Sequence, residues 1–172
     1  RRCLDQEDIV SFTFWTREVV YRGSVGDLLH VFHLQLPHRS VRFEIDVLDG
    51  GRPSRPQRAQ LASDVVAWLQ ERVGPRIRHT LADRLTSGAA VRIGHGVLTR
   101  DGFGHTSAFH HQHLHAWERF RSAHVFNDTV EVFLTTDDAE RGEYGFSVRR
   151  ASLNSVILPE LTSACHQRWR RF

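Results

Sequence analysis

Apolar and polar residues alternate most regularly in the stretch VRFEIDV, residues 41–47. Such alternation is typical of a β-strand with one face against a core and the other face in water. Two stretches rich in aromatic and β-branched residues precede it, at 9–21 and 28–36, and the sequence GSVGD at 23–27 predicts a turn between them. The chain is therefore predicted to open with an antiparallel meander of three strands.

The apolar residues that follow recur every four positions, which is typical of one face of a helix. The predicted core face consists of Leu61, Val65, Leu69 and Val73. The same spacing resumes beyond Gly74-Pro75 and continues to Leu85. Because proline has no N–H and its ring crowds the preceding turn, we expect either a kinked long helix or two consecutive helices. Gly88 is suited to end this helical region.

The second half repeats this order of elements. Residues 90–105 predict short strands separated by glycines, with a turn at Asp101-Gly102, and residues 123–136 predict strand, turn and strand. The buried face of the last of these strands is expected to carry Val130, Val132 and Leu134. A final helix is expected from Ser155 or Pro159 to Arg170. We therefore predict an α+β fold of antiparallel strands capped by a helix, repeated twice, in units 1–88 and 89–172.

The content and distribution of charged residues bear on whether the protein binds nucleic acid. All 23 cationic residues are arginine, the 20 acidic residues nearly balance them, and both signs are spread evenly over the two halves. A nucleic-acid partner is therefore not expected, since such proteins usually concentrate their basic residues on one stripe. The only local excess of arginine is at 168–171. The chain contains no methionine, so we expect it to be part of a longer protein.

The sequence also indicates a compartment. No apolar run approaches the roughly 18–20 residues that cross a bilayer, and no segment has the pattern of a signal peptide. The two cysteines, Cys3 and Cys165, lie near opposite ends and form no CxxC pair. Two unpaired thiols are typical of a cytoplasmic protein. We therefore expect a cytoplasmic protein, with association to a membrane surface as a further expectation.

The stretch FHHQHLHAW, residues 109–117, contains four histidines and is the most reactive segment in the sequence. On a strand, His111, His113 and His115 share one face, so they are the candidate ligands of a transition metal. Alternate residues on a strand are however about 6.5–7 Å apart, and no HExxH or CxxC partner is nearby. Solvated histidines on an exposed loop or edge strand, forming a polar connection that leads into Trp117, are the favoured interpretation. A pH-responsive surface is the third, because neighbouring imidazolium groups repel each other.

Five residues of the second half carry a resemblance to a known family. A glycine follows the first strand, an Asp-Gly pair closes the second, a tryptophan starts the third, and an asparagine introduces the helix. These residues are Gly94, Asp101, Gly102, Trp117 and Asn154. From Ala89 onward the chain resembles the bacterial pleckstrin-homology-like domain found in actinobacterial proteins. The first half resembles it more loosely, as a truncated first copy that lacks its opening strands.

The resemblance implies a noncatalytic module that binds a protein or peptide, and in some members a membrane lipid. It assigns no catalytic residue and no cofactor, so a transition metal enters only under the histidine hypothesis. The turn at Gly94-His95-Gly96 lacks the basic, lysine-containing loop of inositide-binding relatives, so specific inositide binding is not expected. An exposed sheet edge, or the groove between an edge strand and the helix, is the expected binding surface. Candidate contacts with an anionic surface are Arg17, Arg22, Arg39 and Arg42.

Overall fold

The structure is a computed structural model that describes residues 5–21, 24–47, 55–106, 112–126, 128–135 and 143–170. It is an α+β fold in which every described sheet is antiparallel. The chain divides into two compact units, Arg1–Arg76 and Ile77–Phe172, called unit 1 and unit 2 below. The predicted division at residue 88, with a repeat of one domain, stays a prediction.

Unit 1 contains the predicted three-stranded meander. Its strands are β1 (Ser11–Tyr21), β2 (Ser24–Gln35) and β3 (Ser40–Asp46), in the order β1-β2-β3. Register places Phe14 opposite Phe32 and Phe32 opposite Phe43, and the rings of Phe32 and Phe43 stack 4.9 Å apart. These aromatic pairs hold the sheet together across its strands.

The predicted turn at residues 23–27 is wrong in its extent. Strand β2 already begins at Ser24, which pairs with Tyr21 across the ladder. Only residues 22–23, which lie outside the described residues, then remain to connect the two strands.

The helical region at residues 55–86, which begins in unit 1 and ends in unit 2, contains a widened turn. Helix α1 (Arg55–Trp68) is followed by a π-helical turn at Leu69–Val73, and helix α2 (Gly74–Thr86) follows it. The N–H of Gly74 donates to the carbonyl of Leu69, five residues earlier. Pro75 has no N–H to continue the regular ladder and crowds the preceding turn, which accounts for the irregularity immediately before it.

The predicted core face of this helix is correct only in part. Leu69 and Val73 are fully buried, whereas Leu61 is 54% exposed. The four-residue spacing therefore identified the helical face, and Leu61 is the exception on it, since Val65 is half-buried and the neighbouring Ala62, which widens the predicted stripe, is buried. Helix α1 also leaves Trp68 37% exposed.

Unit 2 contains most of α2, two sheets and a C-terminal helix. The first sheet contains β4 (Val91–Ile93), β5 (Gly96–Leu98), β6 (Gly102–Thr106) and β7 (Gln112–Ala116), in that order. The second has the order β10-β9-β8, with β8 at Phe120–Val125, β9 at Thr129–Leu134 and β10 at Glu143–Arg149. The predicted inner face of β9 is confirmed, because Val130, Val132 and Leu134 are buried. No hydrogen-bonded ladder among the described strands joins the two sheets into a closed barrel.

Helix α3 (Leu158–Trp169) completes unit 2. It contacts β8 and β9, and Leu158, Leu161 and Cys165 are buried. On its exposed side, Glu160 forms an ion pair with Arg78 of α2. The two sheets contact each other through β10 of the second sheet, which contacts β5 and β6 of the first. An aromatic cluster fills the interior between these elements and consists of Phe103, Trp117, Phe120 and Phe146.

Candidate functional site

The candidate site is built on the antiparallel pair of strands β6 and β7. A Cβ atom at Gly104 would run into the backbone carbonyl of His113, and one at Gly102 would run into the carbonyl of His115. Strand β7 can therefore lie this close to β6 only because both positions lack a side chain. Within the described residues, β7 is the last strand of its sheet and so presents an edge.

The two faces of β7 differ in chemistry. His113 lies opposite His105, and His115 lies opposite Phe103. Because paired residues of an antiparallel sheet project to the same side, both histidines of β7 share a face with the buried ring of Phe103. The other face is exposed and carries Gln112, Leu114 and Ala116. Strand β7 therefore has an imidazole-bearing face, on which His113 is exposed and His115 is half-buried, and an opposite face that is open to solvent.

His105 and His113 form a stacked pair. Their ring centroids are 5.2 Å apart and the rings are inclined by 21°. The other neighbour of His105 is the buried ring of Phe146 on β10, at 6.0 Å. The Nδ1 atom of His105 is buried and has no hydrogen-bond partner among the described residues. The half-buried imidazole of His105 thus lies between a second imidazole and a phenyl ring.

This environment favours the neutral form of His105. The pKa of its imidazole is lowered from the ordinary value of 6.5, chiefly by burial. Positive charge on neighbouring imidazoles lowers it further, and these belong to His113, His95 and His115. A protonated ring would lose hydration and meet like charges, so both causes act in the same direction.

His115 experiences a more mixed environment. Burial lowers the pKa of its imidazole, and the guanidinium of Arg119 lowers it further. The carboxylate of Glu143 acts in the opposite direction, while His113 again lowers this pKa. Arg119 and Glu143 also form an ion pair with each other, 3.0 Å between Nη2 and Oε2. The pKa of His115 is therefore affected by an ion pair on the surface as well as by burial.

Trp117 fixes the C-terminal end of β7. Its side chain is 2% exposed, and its indole N–H donates to the carbonyls of Thr99 (3.2 Å) and Arg100 (3.1 Å) in the turn between β5 and β6. The backbone carbonyl of Trp117 accepts from Nδ1 of His166 on α3, at 2.7 Å. One residue thus ties the end of β7 to a turn of its own sheet and to the helix.

A pocket of about 700 Å³ lies beside this tryptophan. Trp117 and Glu118 follow directly after Ala116, so the pocket lies at the C-terminal end of β7. Its lining combines two indole rings with two cations and two carboxylates. The lining residues are Thr86, Arg100, Asp101, Trp117, Glu118, Arg168 and Trp169. Such a lining suits a side chain that has both an apolar part and a polar end.

The structure describes two of the three histidines predicted as metal ligands. His113 and His115 lie two residues apart on β7, as expected for a strand, whereas His111 lies outside the described residues. Among the described side chains, no three of histidine, cysteine, aspartate or glutamate are arranged to hold a metal ion. The metal site at His111, His113 and His115 therefore stays a prediction.

The arginines predicted to contact an anionic surface belong to unit 1. Arg17, Arg39 and Arg42 are exposed, and Arg22 lies outside the described residues. Arg42 forms an ion pair with Glu44 (3.0 Å) and lies over the ring of Trp15, 5.5 Å from its centroid. Its charge is thus already engaged within the sheet. Contact of these arginines with a membrane also stays a prediction.

Sequence reasoning missed His105, which pairs with the predicted His113. The signal for it lies in GFGHT, where a histidine stands two positions after a phenylalanine and so shares its face on a strand. Register was the missing information, because the sequence alone does not say which residue of one strand lies opposite which residue of the next.

No protein-family model matches the chain, and no curated protein or solved structure matches it either. Among the described residues, no helix has the length and apolar character required to cross a bilayer. The function must therefore be argued from the geometry of β6, β7 and the adjoining pocket.

Proposed function

We propose that unit 2 is a noncatalytic, pleckstrin-homology-like module that binds a protein or peptide partner by strand addition at β7. The order of elements supports this proposal, since two antiparallel sheets are followed by one helix that packs on the second sheet. We propose further that the two sheets act together as a barrel of this family, and that unit 1 is a truncated first copy of it.

The residues that carry the resemblance have geometric roles that support it. Gly94 has φ 59°, and a side chain there would press against Ser152 and Val148. Asn154 has φ 64°, a left-handed conformation that asparagine tolerates better than most residues, and it stands directly before the helical segment. Trp117 hydrogen-bonds the turn that precedes Asp101. These residues therefore set turns and anchor points, which explains why the pattern is made of these types.

The observation that carries the proposal is the exposed edge of β7. The other edges of unit 2 are less suited to pairing: β4 has three residues and buries both Val91 and Ile93, α3 packs against β8, and β10 contacts β5 and β6 of the other sheet. By contrast, β7 ends its sheet and exposes its outer face, including Leu114 at 46%. An extended peptide can add to such an edge through backbone hydrogen bonds.

The pocket at the end of β7 suggests how a partner would be selected. A strand bound to β7 would run along its edge toward Trp117 and Glu118, where the pocket begins. Strand addition supplies affinity without much sequence preference, whereas a pocket for one side chain supplies specificity. We therefore expect partners to carry an aromatic or long amphipathic side chain beside their pairing segment.

Selection from a random peptide library displayed on phage would test the proposal, with the whole chain as the target. Selected peptides are expected to shift backbone amide NMR signals of β7 and the indole signal of Trp117. The variant Leu114→Pro, which removes one backbone N–H from β7, is expected to weaken binding by about tenfold or more, since proline cannot donate in a ladder.

The matched control is Leu114→Ala, which removes most of the same side chain but keeps the N–H. It is expected to change peptide affinity by less than about threefold, because an exposed side chain contributes little. Amide signals of β4 to β6 must remain in place in both variants, which shows that the sheet is intact. Peptides that bind Leu114→Pro as well as the wild type, or that shift unit 1 only, would refute strand addition at β7.

A further inference from the structure

We infer that the pocket beside Trp117 binds a cationic group on an apolar stem, such as the side chain of arginine or lysine. This inference rests on the charges and rings that line the pocket, and it stands whether or not a peptide adds to β7. The further statement that the cation belongs to a partner peptide rests on the function proposed above.

The pocket has room for such a group. Its volume is about 700 Å³, and pockets of roughly 300–1,000 Å³ hold small ligands in proteins. The described lining belongs to unit 2 and comes from the turn between β5 and β6, the turn after β7, and the ends of α2 and α3. A guanidinium or ammonium group therefore fits inside together with its methylene stem.

Two carboxylates in the lining are open to a new partner. Asp101 and Glu118 are exposed, and neither forms an ion pair with another described residue. The described ion pairs are Arg42 with Glu44, Arg78 with Glu160, His79 with Asp83, and Arg119 with Glu143. A cation that enters the pocket thus meets carboxylates without displacing them from an existing ion pair.

The indole of Trp169 supplies an aromatic surface in the same lining. It is half-buried and lies against the ring of Trp117, with the two centroids 5.7 Å apart. Tryptophan attracts a cation over its ring more strongly than other aromatic residues do, and the ring also contacts the apolar stem of a long side chain. The face of an aromatic ring is electrostatically negative, so an anion does not gain this attraction.

Two helices end at the pocket. Thr86 is the last residue of α2 and Trp169 is the last residue of α3, and both belong to the lining. The C-terminal end of a helix carries a partial negative charge. The helix ends therefore favour a cation, as the indole does.

The lining also contains two arginines, Arg100 and Arg168, which repel an incoming cation. Their two formal charges balance those of Asp101 and Glu118, so the indole and the two helix ends determine the sign that the pocket prefers. That preference is for a cation. Neutralising either arginine is therefore expected to strengthen the binding of a cation.

The place of the pocket fixes where a partner carries its cation. A peptide that adds to β7 in the antiparallel manner of β6 runs in the direction opposite to β7. Its N-terminal end then lies beside Ala116 and Trp117, where the pocket begins. We therefore expect arginine or lysine before the segment that pairs with β7, and not after it.

Small molecules test the pocket without any peptide. n-Butylguanidinium and n-butylammonium are titrated into the full chain at constant ionic strength, with pentanoate and 1-pentanol as the anionic and neutral counterparts. The indole NMR signals of Trp117 and Trp169 report binding. The cations are expected to bind about fivefold or more tightly than either counterpart, from one cation–indole contact and one exposed charge pair. Pentanoate or 1-pentanol that binds as tightly as the cations would overturn the inference.

Substitutions of opposite charge in the lining sharpen this test. Asp101→Asn and Glu118→Gln are each expected to weaken binding of n-butylguanidinium by about two- to fivefold, and Arg168→Gln is expected to strengthen it by a similar factor. The control Glu131→Gln lies on β9, outside the pocket, and is expected to have no effect. Unchanged binding in both acidic variants, with backbone amide signals in place, would contradict the inference. The comparison of small molecules in the wild type does not depend on the folding of any variant.

The cation site and strand addition at β7 fail separately. Selected peptides that shift the amide signals of β7, together with cations that bind no better than 1-pentanol, would overturn the cation site and leave strand addition in place. Selective binding of the cations by a chain whose β7 takes no peptide would support the cation site and remove its link to strand addition. Selected peptides with a basic residue before the pairing segment would support both.

Discussion

Cys165 and His105 lie in different places of unit 2, and burial shifts their pKa values in opposite directions. Beneath helix α3, the thiol of Cys165 is 3% exposed, and burial raises its pKa from 9.0 to about 12 against a smaller opposing effect of Arg168. Between β6 and β7, burial lowers the pKa of His105 below 6.5. The neutral thiol carries its proton and the neutral imidazole lacks one, so the same loss of hydration gives opposite shifts.

The comparison shows that burial favours the neutral form of both side chains. A thiol with a pKa of about 12 stays neutral throughout the physiological pH range, so Cys165 itself brings no pH-dependent charge to the core beneath α3. An imidazole has an ordinary pKa of about 6.5, and burial between β6 and β7 moves protonation of His105 to lower pH.

The largest expected effect concerns the reactivity of Cys165. In a Cys3→Ser background, we expect the native protein at about pH 8 to react with a thiol reagent roughly a thousandfold more slowly than the urea-unfolded chain, since thiolate fraction falls tenfold per pKa unit. The measurement is the rate of alkylation by mass spectrometry. Equal rates in the native and unfolded protein would show that α3 does not cover this thiol.

The next largest effect concerns the free energy of unfolding. It compares the same substitution, leucine to alanine, at a buried position of α3 and at an exposed position of β7. Leu161→Ala, at a fully buried position of α3, is expected to lower the free energy of unfolding by about 2–5 kcal/mol. Leu114→Ala, at an exposed position of β7, is expected to change it by no more than about 0.5 kcal/mol. Urea unfolding followed by the indole NMR signal of Trp117 reports on unit 2. Comparable losses from the two substitutions would remove the distinction.

Gly104 tests the close approach of β7 to β6. Because a methyl group there would collide with the carbonyl of His113, Gly104→Ala is expected to destabilise the pairing by about 1–3 kcal/mol. Amide hydrogen exchange should accelerate in β6 and β7 and remain unchanged in β9, which serves as the control. Exchange in β6 and β7 of the variant at the same rate as in the wild type would mean that β7 lies farther from β6 than the structure places it.

The smallest effect concerns the two charges beside His115. Removing the cation with Arg119→Gln is expected to raise the pKa of His115, and removing the carboxylate with Glu143→Gln is expected to lower it. The two variants form a matched pair, since each replaces one member of the same ion pair with the same neutral residue. NMR titration of His115 measures both. Shifts of the same sign would be inconsistent with the described positions of these side chains.

Much of the fold could be predicted from local pattern. Alternation identified the inner face of β9, the four-residue spacing identified a helical face, and the glycines and asparagine marked turns. These features depend on the few residues nearest in sequence, so a single sequence contains the information. The exposed position of Leu61 was not predicted, because what covers a helix is decided by elements distant in the chain.

The candidate site could be predicted from the sequence less well than the fold, for the same reason. His113 and His115 were placed correctly on one face of a strand, but their partners were not foreseen. The pairing of His105 with His113 depends on a register that spans residues 107–111, and no local rule sets it. The pocket beside Trp117 likewise combines residues from two helices and two connecting segments, so its existence could not be inferred from spacing.

The arrangement of His105 and His113 is the central claim, and a nuclear Overhauser experiment at about pH 7.5, above the ordinary imidazole pKa, tests it most directly. We expect contacts between the imidazole protons of these two residues, together with contacts from His105 to the ring of Phe146. A slip of one residue would place Leu114 opposite His105 and turn the histidines of β7 to the outer face. Contacts from His105 to Leu114 instead of His113 would contradict the claim.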